Sequence, residues 1–84
     1  MGVVVNKYRR KQVYLVFSKS LIQRPLIHEM SKKYSIIVNI GKADIDKRKG
    51  WVFLTATGMD SQMDKAFQWM ADQGVIVQTM FSLD

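Results

Sequence analysis

The stretch "KGWVFLTATG", Lys49 to Gly58, decides the fold. Its aromatic and β-branched residues predict a strand over residues 51–57, ended by Gly58 and preceded by turn residues from Asp46. Alternate side chains of a strand point to opposite faces of the sheet. One set here is small and aliphatic (Val52, Leu54, Ala56) and the other aromatic or hydroxylated (Trp51, Phe53, Thr55, Thr57). The stretch therefore predicts a central strand with its aliphatic face buried and its aromatic face open.

The flanking sequence predicts three more strands and two helices. The strands are expected over residues 12–17, 36–45 and 75–80, where β-branched and aromatic residues concentrate. Pro25 suits the first position of a helix that runs to about residue 33. Asp60 or Ser61 can cap a second helix, whose apolar stripe ends before Gly74. Residues 18–24 are interpreted as a link, residues 1–11 as a basic flexible arm, and residues 12–84 as the folded domain.

The predicted element order is β-α-β-β-α-β, which is the ferredoxin-like plan of the α+β class. In that plan two helices cover one face of a four-stranded antiparallel sheet. Right-handed crossovers place the first and third strands in the centre. We therefore expect the aromatic face of residues 51–57 to lie on the uncovered side.

Three aromatic side chains are expected to share that uncovered face. On the first strand Val13, Leu15 and Phe17 match the core, which leaves Tyr14 on the side of Trp51 and Phe53. Contiguous exposed apolar surface marks interfaces and binding grooves. Tyr14, Trp51 and Phe53 are therefore interface candidates, for self-association or for a ligand.

Nucleic-acid binding is the alternative interpretation of this face. RNA-recognition motifs stack bases on aromatics of the same two central strands. Lys49, Gly50, Trp51 and Phe53 fill four positions of the longer strand signature, but Ala56 replaces its final aromatic. These residue types also suit any central strand. Both interpretations stay open on the residues alone.

The charge of the chain is unevenly placed. The net charge is +6, with 12 Lys and Arg against 3 Asp and Glu in residues 1–50, and 1 against 4 in residues 51–84. A basic half fits a polyanionic partner such as nucleic acid. It also fits an anionic membrane surface. The favoured interpretation is a solvated surface with a basic, partly disordered arm at residues 7–11.

Composition excludes several classes of site. The chain has no cysteine and one histidine, His28, so we expect no metal site. The glycines are scattered, no catalytic constellation stands out, and we expect neither a cofactor nor an enzyme. No apolar run approaches the roughly 18 residues of a membrane span, and the first residues lack the order of a signal peptide. We expect a cytoplasmic protein. Its thin core favours a homodimer, because a chain this short buries only about 60–65% of its unfolded surface.

An ordered series of short matches resembles the NIL domain, which is named for its Asn-Ile-Leu stretch. The series covers roughly residues 12–80 and consists of Phe17-Ser18, residues 22–27, Val38-Asn39-Ile40, Ala43, Ile45, Gly50-Trp51-Val52, Gly58, Ala66, Trp69, Gly74-Val75 and Val77. NIL domains end the ATPase subunits of methionine importers and accompany some ferredoxin-type iron–sulfur proteins. The resemblance implies a ferredoxin-like fold that pairs as a dimer and binds methionine as a regulatory ligand.

The resemblance also implies a ligand site. Asn39 and Ile40 occupy the first two positions of the motif, so they are the ligand-binding candidates, with Val38 beside them. Gly41 departs from the motif, since it stands in place of its Leu, and this weakens the expectation of methionine itself. A carboxamide can both donate to and accept from an amino-acid head group, but it can also bond neighbouring backbone. The expected function is a stand-alone regulatory module that senses an amino acid such as methionine, with nucleic-acid binding as the alternative.

Overall fold

The computed structural model describes residues 8–82 of the chain. Four strands and three helices follow one another in the order β1 (Tyr8–Ser18), α1 (Lys19–Ile22), α2 (Leu26–Tyr34), β2 (Ile37–Ile45), β3 (Lys49–Met59), α3 (Asp60–Asp72) and β4 (Ile76–Ser82). The predicted βαββαβ plan is confirmed. The 4-residue helix α1 is an addition, since the sequence predicted only a link there.

The strands form a four-stranded antiparallel sheet in the order β2-β3-β1-β4. The first and third strands are central, as the crossover argument predicts. Tyr14 pairs with Phe53 and Leu15 with Val52 across the centre. The register is irregular at two places, between Gln12 and Val13 against β4 and between Ile40 and Lys42 against β3.

The core lies between the helices and one face of this sheet. The small aliphatic set of β3 is buried there, together with Val13 and Leu15 of β1. The helices contribute their apolar stripes, Leu26 and Met30 from α2 and Met63, Ala66 and Met70 from α3. The predicted division of β3 into a covered and an uncovered face is therefore confirmed.

Strand β1 begins earlier than predicted. Residues 8–11 belong to β1 and pair with residues 56–59 of β3, so the predicted boundary of the arm at residue 11 falls inside a strand. The polar residues of this extension are held by α3, because Asp60 lies 3.3 Å from Arg9 and 3.2 Å from Lys11. The remainder of the predicted arm, residues 1–7, lies outside the described residues, as do residues 83 and 84.

The helix ends follow the predictions only in part. Gly74 has a φ of 103° and its N–H donates to the Ala71 carbonyl at 3.0 Å, which confirms the predicted glycine after α3. The predicted side-chain cap is wrong, since Met59 is the N-cap residue of α3 and makes no side-chain cap hydrogen bond. Asp60 is the first residue of the helix, and its carboxylate is engaged by Arg9 and Lys11 instead.

Candidate functional site

The uncovered face of the sheet carries the three predicted aromatics together. Tyr14 of β1 pairs directly with Phe53 of β3. Two residues further along the same strands, Val16 pairs with Trp51. The ring centroids of Tyr14 and Trp51 are 5.7 Å apart, with the rings inclined by 31°. All three side chains are half-buried, although no helix covers them. They form an aromatic cluster at the centre of the open face.

A depression lies beside the cluster, where strand β2 is irregular. Gly41 falls between the paired residues Ile40 and Lys42 and has no partner of its own on β3. The resulting basin has a volume of about 430 Å³ and is lined by Tyr14, Gly41, Lys42, Trp51 and Phe53. We call it the aromatic basin. The aromatic rings of Tyr14, Trp51 and Phe53 line it, together with the ammonium group of Lys42.

The motif residues Val38, Asn39 and Ile40 do not lie on one surface. Asn39 pairs with Thr55 and therefore lies on the open face, whereas Val38 and Ile40 pair with Ala56 and Leu54 on the helix side. Asn39 is exposed, and its carboxamide makes no hydrogen bond within the described residues. The alternative interpretation, in which it bonds neighbouring backbone, is not realised here. Strand alternation divides the predicted ligand site between the two sides of β2.

Strand β2 forms an unpaired edge rich in isoleucine. Ile37 is 61% exposed, Ile40 57% and Ile45 58%, and they lie on both faces of the sheet. An exposed strand edge offers unpaired N–H and C=O groups to another strand. Both edge strands pair irregularly with their neighbours, and the opposite edge, β4, is the shorter, with 7 residues against 9 in β2. Edge β2 is therefore the better surface for strand pairing.

A second hollow, which sequence reasoning missed, lies on the helix side where α1, α2 and the end of β2 meet. Its volume is about 160 Å³, and the walls are mostly apolar: Phe17, Ile22, Pro25, Leu26, Ile27, Ile45 and Val52, with Arg24 and His28. We call it the apolar cavity. The one signal in the sequence is the pair Gln23-Arg24, which lies between the apolar stretches Leu21-Ile22 and Pro25-Leu26-Ile27 just before a helix.

The cationic group of the cavity, Arg24, is held at the surface. Its Nη1 donates to the Gln73 side-chain oxygen at 3.1 Å, and its Nη2 lies 3.7 Å from a Glu29 carboxylate oxygen. The side chains of Arg24 and Glu29 are 47% and 40% exposed, so this ion pair is weak. A ligand carboxylate in the cavity can compete for the guanidinium.

The hairpin between β2 and β3 presents cations at one end of the open face. The Asp46 carboxylate accepts hydrogen bonds from the backbone N–H groups of Arg48 at 2.7 Å and Lys49 at 3.0 Å. These bonds hold the pKa of Asp46 below its ordinary value of 3.8, because they stabilise the charged form. Lys47, Arg48 and Lys49 are exposed at the tip of this turn.

Within residues 8–82 the structure shows neither a metal-binding cluster nor a membrane-spanning helix. Their histidine, aspartate and glutamate side chains form no group that could hold a metal ion. No helix in this part of the chain is long and apolar enough to cross a membrane.

Two comparisons with known proteins agree on one family. A family model for the NIL domain matches residues 11–79. The methionine import ATP-binding protein MetN of Burkholderia thailandensis is 30% identical over 70 residues, which are 79% of this chain and 20% of that protein. The MetN protein of Helicobacter hepaticus is 27% identical over 70 residues, with the same coverage of 79% and 20%. The chain thus spans about a fifth of the length of these curated relatives.

Solved structures share the fold. The C-terminal domain of an ABC transporter ATP-binding protein from Enterococcus faecalis has a TM-score of 0.75 at 19% identity, covering 83% of this chain and 82% of that chain. The de novo designed protein Foldit4 has a TM-score of 0.57 at 13% identity, covering 89% and 98%. At such identities the likeness concerns the fold alone.

Proposed function

The chain belongs to the NIL-domain family, and from that premise we propose that it is a regulatory module that binds a small amino acid such as methionine and works as a homodimer. Relatives that contain a matching segment are methionine import ATP-binding proteins by name. The observation that carries the proposal within this chain is the apolar cavity with Arg24 beside it.

The size of the cavity selects a small apolar group. An apolar protein cavity of about 150 Å³ is large enough to hold benzene, and the cavity here measures about 160 Å³. The unbranched side chain of methionine is of comparable size, and its thioether adapts to irregular apolar walls. Leucine and norleucine satisfy the same requirement, whereas tryptophan does not.

The polar end of the ligand has a partner at the mouth of the cavity. A guanidinium binds a carboxylate with two parallel hydrogen bonds. Arg24 lines the cavity, and a ligand would displace a weak ion pair to Glu29 and one side-chain hydrogen bond to Gln73. Replacing Glu29 by a ligand carboxylate keeps the charge of Arg24 compensated. The cavity thus offers an apolar wall and an anion partner, which together match an amino acid.

A second copy of the chain fits along the edge of β2. Two β2 strands paired antiparallel around a two-fold axis bury isoleucines on both faces of the joined sheet. In such an antiparallel pair the N-terminal half of one β2 lies beside the C-terminal half of the partner's β2. The partner's Ile40 would then lie on the helix side near Ile45, which lines the cavity. Dimerisation would in this way close the open side of the ligand site.

This arrangement assigns the dimer contact to the β2 edge rather than to the three aromatics. The edge isoleucines are exposed, whereas Tyr14, Trp51 and Phe53 are half-buried by one another and by their neighbours. Val38 and Ile40 take part from the helix side. Asn39 lies on the open face, across the sheet from the apolar cavity, and stays a candidate only for a ligand on that face, where its carboxamide makes no hydrogen bond within residues 8–82.

Calorimetry of the full chain with methionine tests the ligand. We expect heat of binding with methionine and norleucine, and at least about a tenfold loss of affinity in Arg24→Ala, since hydrogen bonds to a charged group contribute about 1.5–3 kcal/mol. Lys65→Ala is the matched control, because Lys65 is an exposed cation on α3 remote from the cavity. Absence of heat with every amino acid, or equal affinity in Arg24→Ala, contradicts the ligand site. Asn39→Ala separately tests whether the motif asparagine contributes.

Light scattering tests the dimer. We expect a dimer at micromolar concentration and a monomer for Ile40→Lys, because a charge on the edge opposes strand pairing. Ile76→Lys, at an equally exposed isoleucine of the opposite edge, should stay dimeric. A wild-type monomer, or dissociation by both substitutions alike, contradicts pairing through β2.

A further inference from the structure

We propose that the open face of the sheet binds single-stranded nucleic acid, with a nucleobase stacked in the aromatic basin. The basin, its glycine and the cations along the same face carry this inference. It does not depend on the proposed amino-acid site, which lies on the other side of the sheet.

Glycine at position 41 keeps the floor of the basin accessible. Gly41 does not have the positive φ that favours glycine; among the described glycines only Gly74 does. A Cβ at position 41 would lie 3.5 Å from the Phe53 carbonyl oxygen and 3.7 Å from Cδ1 of its ring. The site therefore tolerates a side chain sterically, and a long one would begin in contact with Cδ1 of the Phe53 ring. What the glycine provides is an open ring face.

The chemistry around the basin matches a nucleotide. Each nucleobase has a π-face, and stacking on an aromatic side chain contributes about 1–3 kcal/mol per base. The rings of Tyr14, Trp51 and Phe53 supply such a surface, and Lys42 at the rim is placed to meet a phosphate. Gln78 of β4 pairs with Tyr14 of β1, and its exposed carboxamide can form hydrogen bonds with the edge of a base.

Charges beyond the basin favour a strand over a free nucleotide. By strand pairing, Lys49 lies at one end of the open face and Arg10, opposite Thr57, at the other, with Lys42 between them. The distance along β3 from Lys49 to Thr57 is about 26 Å at roughly 3.3 Å per residue, which is far longer than one nucleotide. Asp44 is the acidic residue that these pairings place on the same face. Lys47 and Arg48 extend the cationic path at the hairpin tip.

The helix layer is a natural comparison within the chain. It also has an aromatic pair, Tyr34 and Trp69, with ring centroids 6.4 Å apart. That pair lies among Asp64 and Asp72 and is already approached by the Lys33 ammonium, 5.6 Å from the Trp69 ring. Acidic neighbours repel a phosphate backbone, and the Lys33 and Lys65 cations near this pair are accompanied by Asp64 and Asp72, so within residues 8–82 the open face is the better match for a nucleic acid.

Fluorescence anisotropy of a labelled single-stranded RNA of about eight nucleotides tests the proposal, since such sites take about 4–16 nucleotides. We expect binding by the full chain at low salt that weakens steeply as salt is added, because phosphate contacts release counterions. Phe53→Ala should weaken binding by about tenfold, from the stacking contribution of one base. Gly41→Leu should do the same by covering the ring, and Lys42→Glu should also weaken binding and lower the salt dependence.

Matched variants keep the test decisive. Trp69→Ala and Lys65→Glu change the same residue types on the helix layer and should leave RNA affinity unchanged. Gly41→Leu and Lys42→Glu alter exposed residues, so they report on the site even where Phe53→Ala fails to fold. Ile40→Lys should disrupt the dimer yet keep RNA binding, which separates this proposal from the preceding one.

Three outcomes overturn the proposal. They are no binding at low salt, binding that is unchanged by Gly41→Leu and Lys42→Glu, and equal affinity for a mononucleotide and for the oligonucleotide. The third outcome would assign the basin to a free nucleotide.

Discussion

The two faces of strand β3 are made from adjacent residues and yet obey different constraints. Val52, Leu54 and Ala56 are 2%, 0% and 0% exposed beneath the helices. Trp51, Phe53 and Thr55, their immediate neighbours, stay half-buried on the open face. The larger side chains thus lie on the side with less cover. Packing against the helices explains the first set, whereas the second set stays partly accessible to solvent.

The comparison separates residues that hold the fold from residues that are available for binding. Burial on the covered face is complete, so any change of volume there must be absorbed by packed neighbours. On the open face a change alters a surface that other molecules can reach. Stability measurements should therefore respond to one face and binding measurements to the other. The following predictions test that division, beginning with the largest expected effect.

Truncating a covered residue should be far more costly than truncating its neighbour on the open face. Leu54→Ala removes a fully buried side chain and should lower the free energy of unfolding by about 2–5 kcal/mol through lost burial and a new cavity. Thr55→Ala, one residue along, should change it by no more than about 0.5 kcal/mol. Urea denaturation followed by circular dichroism measures both. Comparable losses in the two variants would refute the division of the strand into two functionally distinct faces.

Adding a methyl group at Gly58 or at Gly41 tests the same difference between the covered and the open face without deleting any side chain. A Cβ at Gly58 would come within 2.8 Å of Ile36 Cδ1, and Ile36 is 4% exposed. Gly58→Ala should therefore destabilise the fold by about 1–3 kcal/mol, because a packed methyl must move. Gly41→Ala meets ordinary contact distances of 3.5 and 3.7 Å and should stay within about 0.5 kcal/mol. Thermal unfolding midpoints of the two variants give the test, and an equal drop would contradict it.

Alternation along the strands was enough to predict this difference between faces. The period of two placed Tyr14 with Trp51 and Phe53, and the order of elements predicted the central strands. These inferences succeed because they need only local geometry and one hydrophobic face. The family resemblance was likewise visible in the sequence and is confirmed by the family match over residues 11–79.

Apart from the short local helix α1, the features that sequence reasoning missed depend on contacts between distant segments. The apolar cavity combines residues from β1, the α1–α2 region, β2 and β3, so no local pattern announces it. The four-residue extension of β1 pairs with residues 56–59 of β3, and its cations Arg9 and Lys11 lie beside Asp60 of α3, which is distant in the sequence. Asp60 makes these ion pairs and does not cap its own helix. Charge pairing across the fold competes with local capping, and the sequence does not show which will prevail.

Removing the carboxylate of Asp60 should have a small effect that again differs between the faces. Asp60→Asn weakens contacts of 3.3 Å to Arg9 and 3.2 Å to Lys11, and should cost no more than about 1 kcal/mol because these groups are partly solvated. Asp44→Asn on the open face is the control and should leave stability unchanged. Denaturation at low and high salt measures both variants. The loss in Asp60→Asn should shrink in high salt, since screening weakens the ion pairs in the wild type; a loss that ignores salt would show that Asp60 acts otherwise.

The smallest effect is expected at the hairpin, where the two faces of β3 meet the solvent. The charged Asp46 carboxylate accepts the N–H groups of Arg48 and Lys49, which lowers the pKa of Asp46 below its ordinary value of 3.8. A group with a depressed pKa contributes stability that is fully present above the ordinary value and is lost as pH falls through the lowered one. Amide resonances of Arg48 and Lys49, followed by NMR on acidification, should therefore move together with a midpoint below 3.8. The amide of Phe53 on the open face serves as the reference, and Asp46→Ala should abolish the shared midpoint. A midpoint above the ordinary pKa would show that these two hydrogen bonds do not stabilise the turn. They would then not fix the positions of the cations at its tip either.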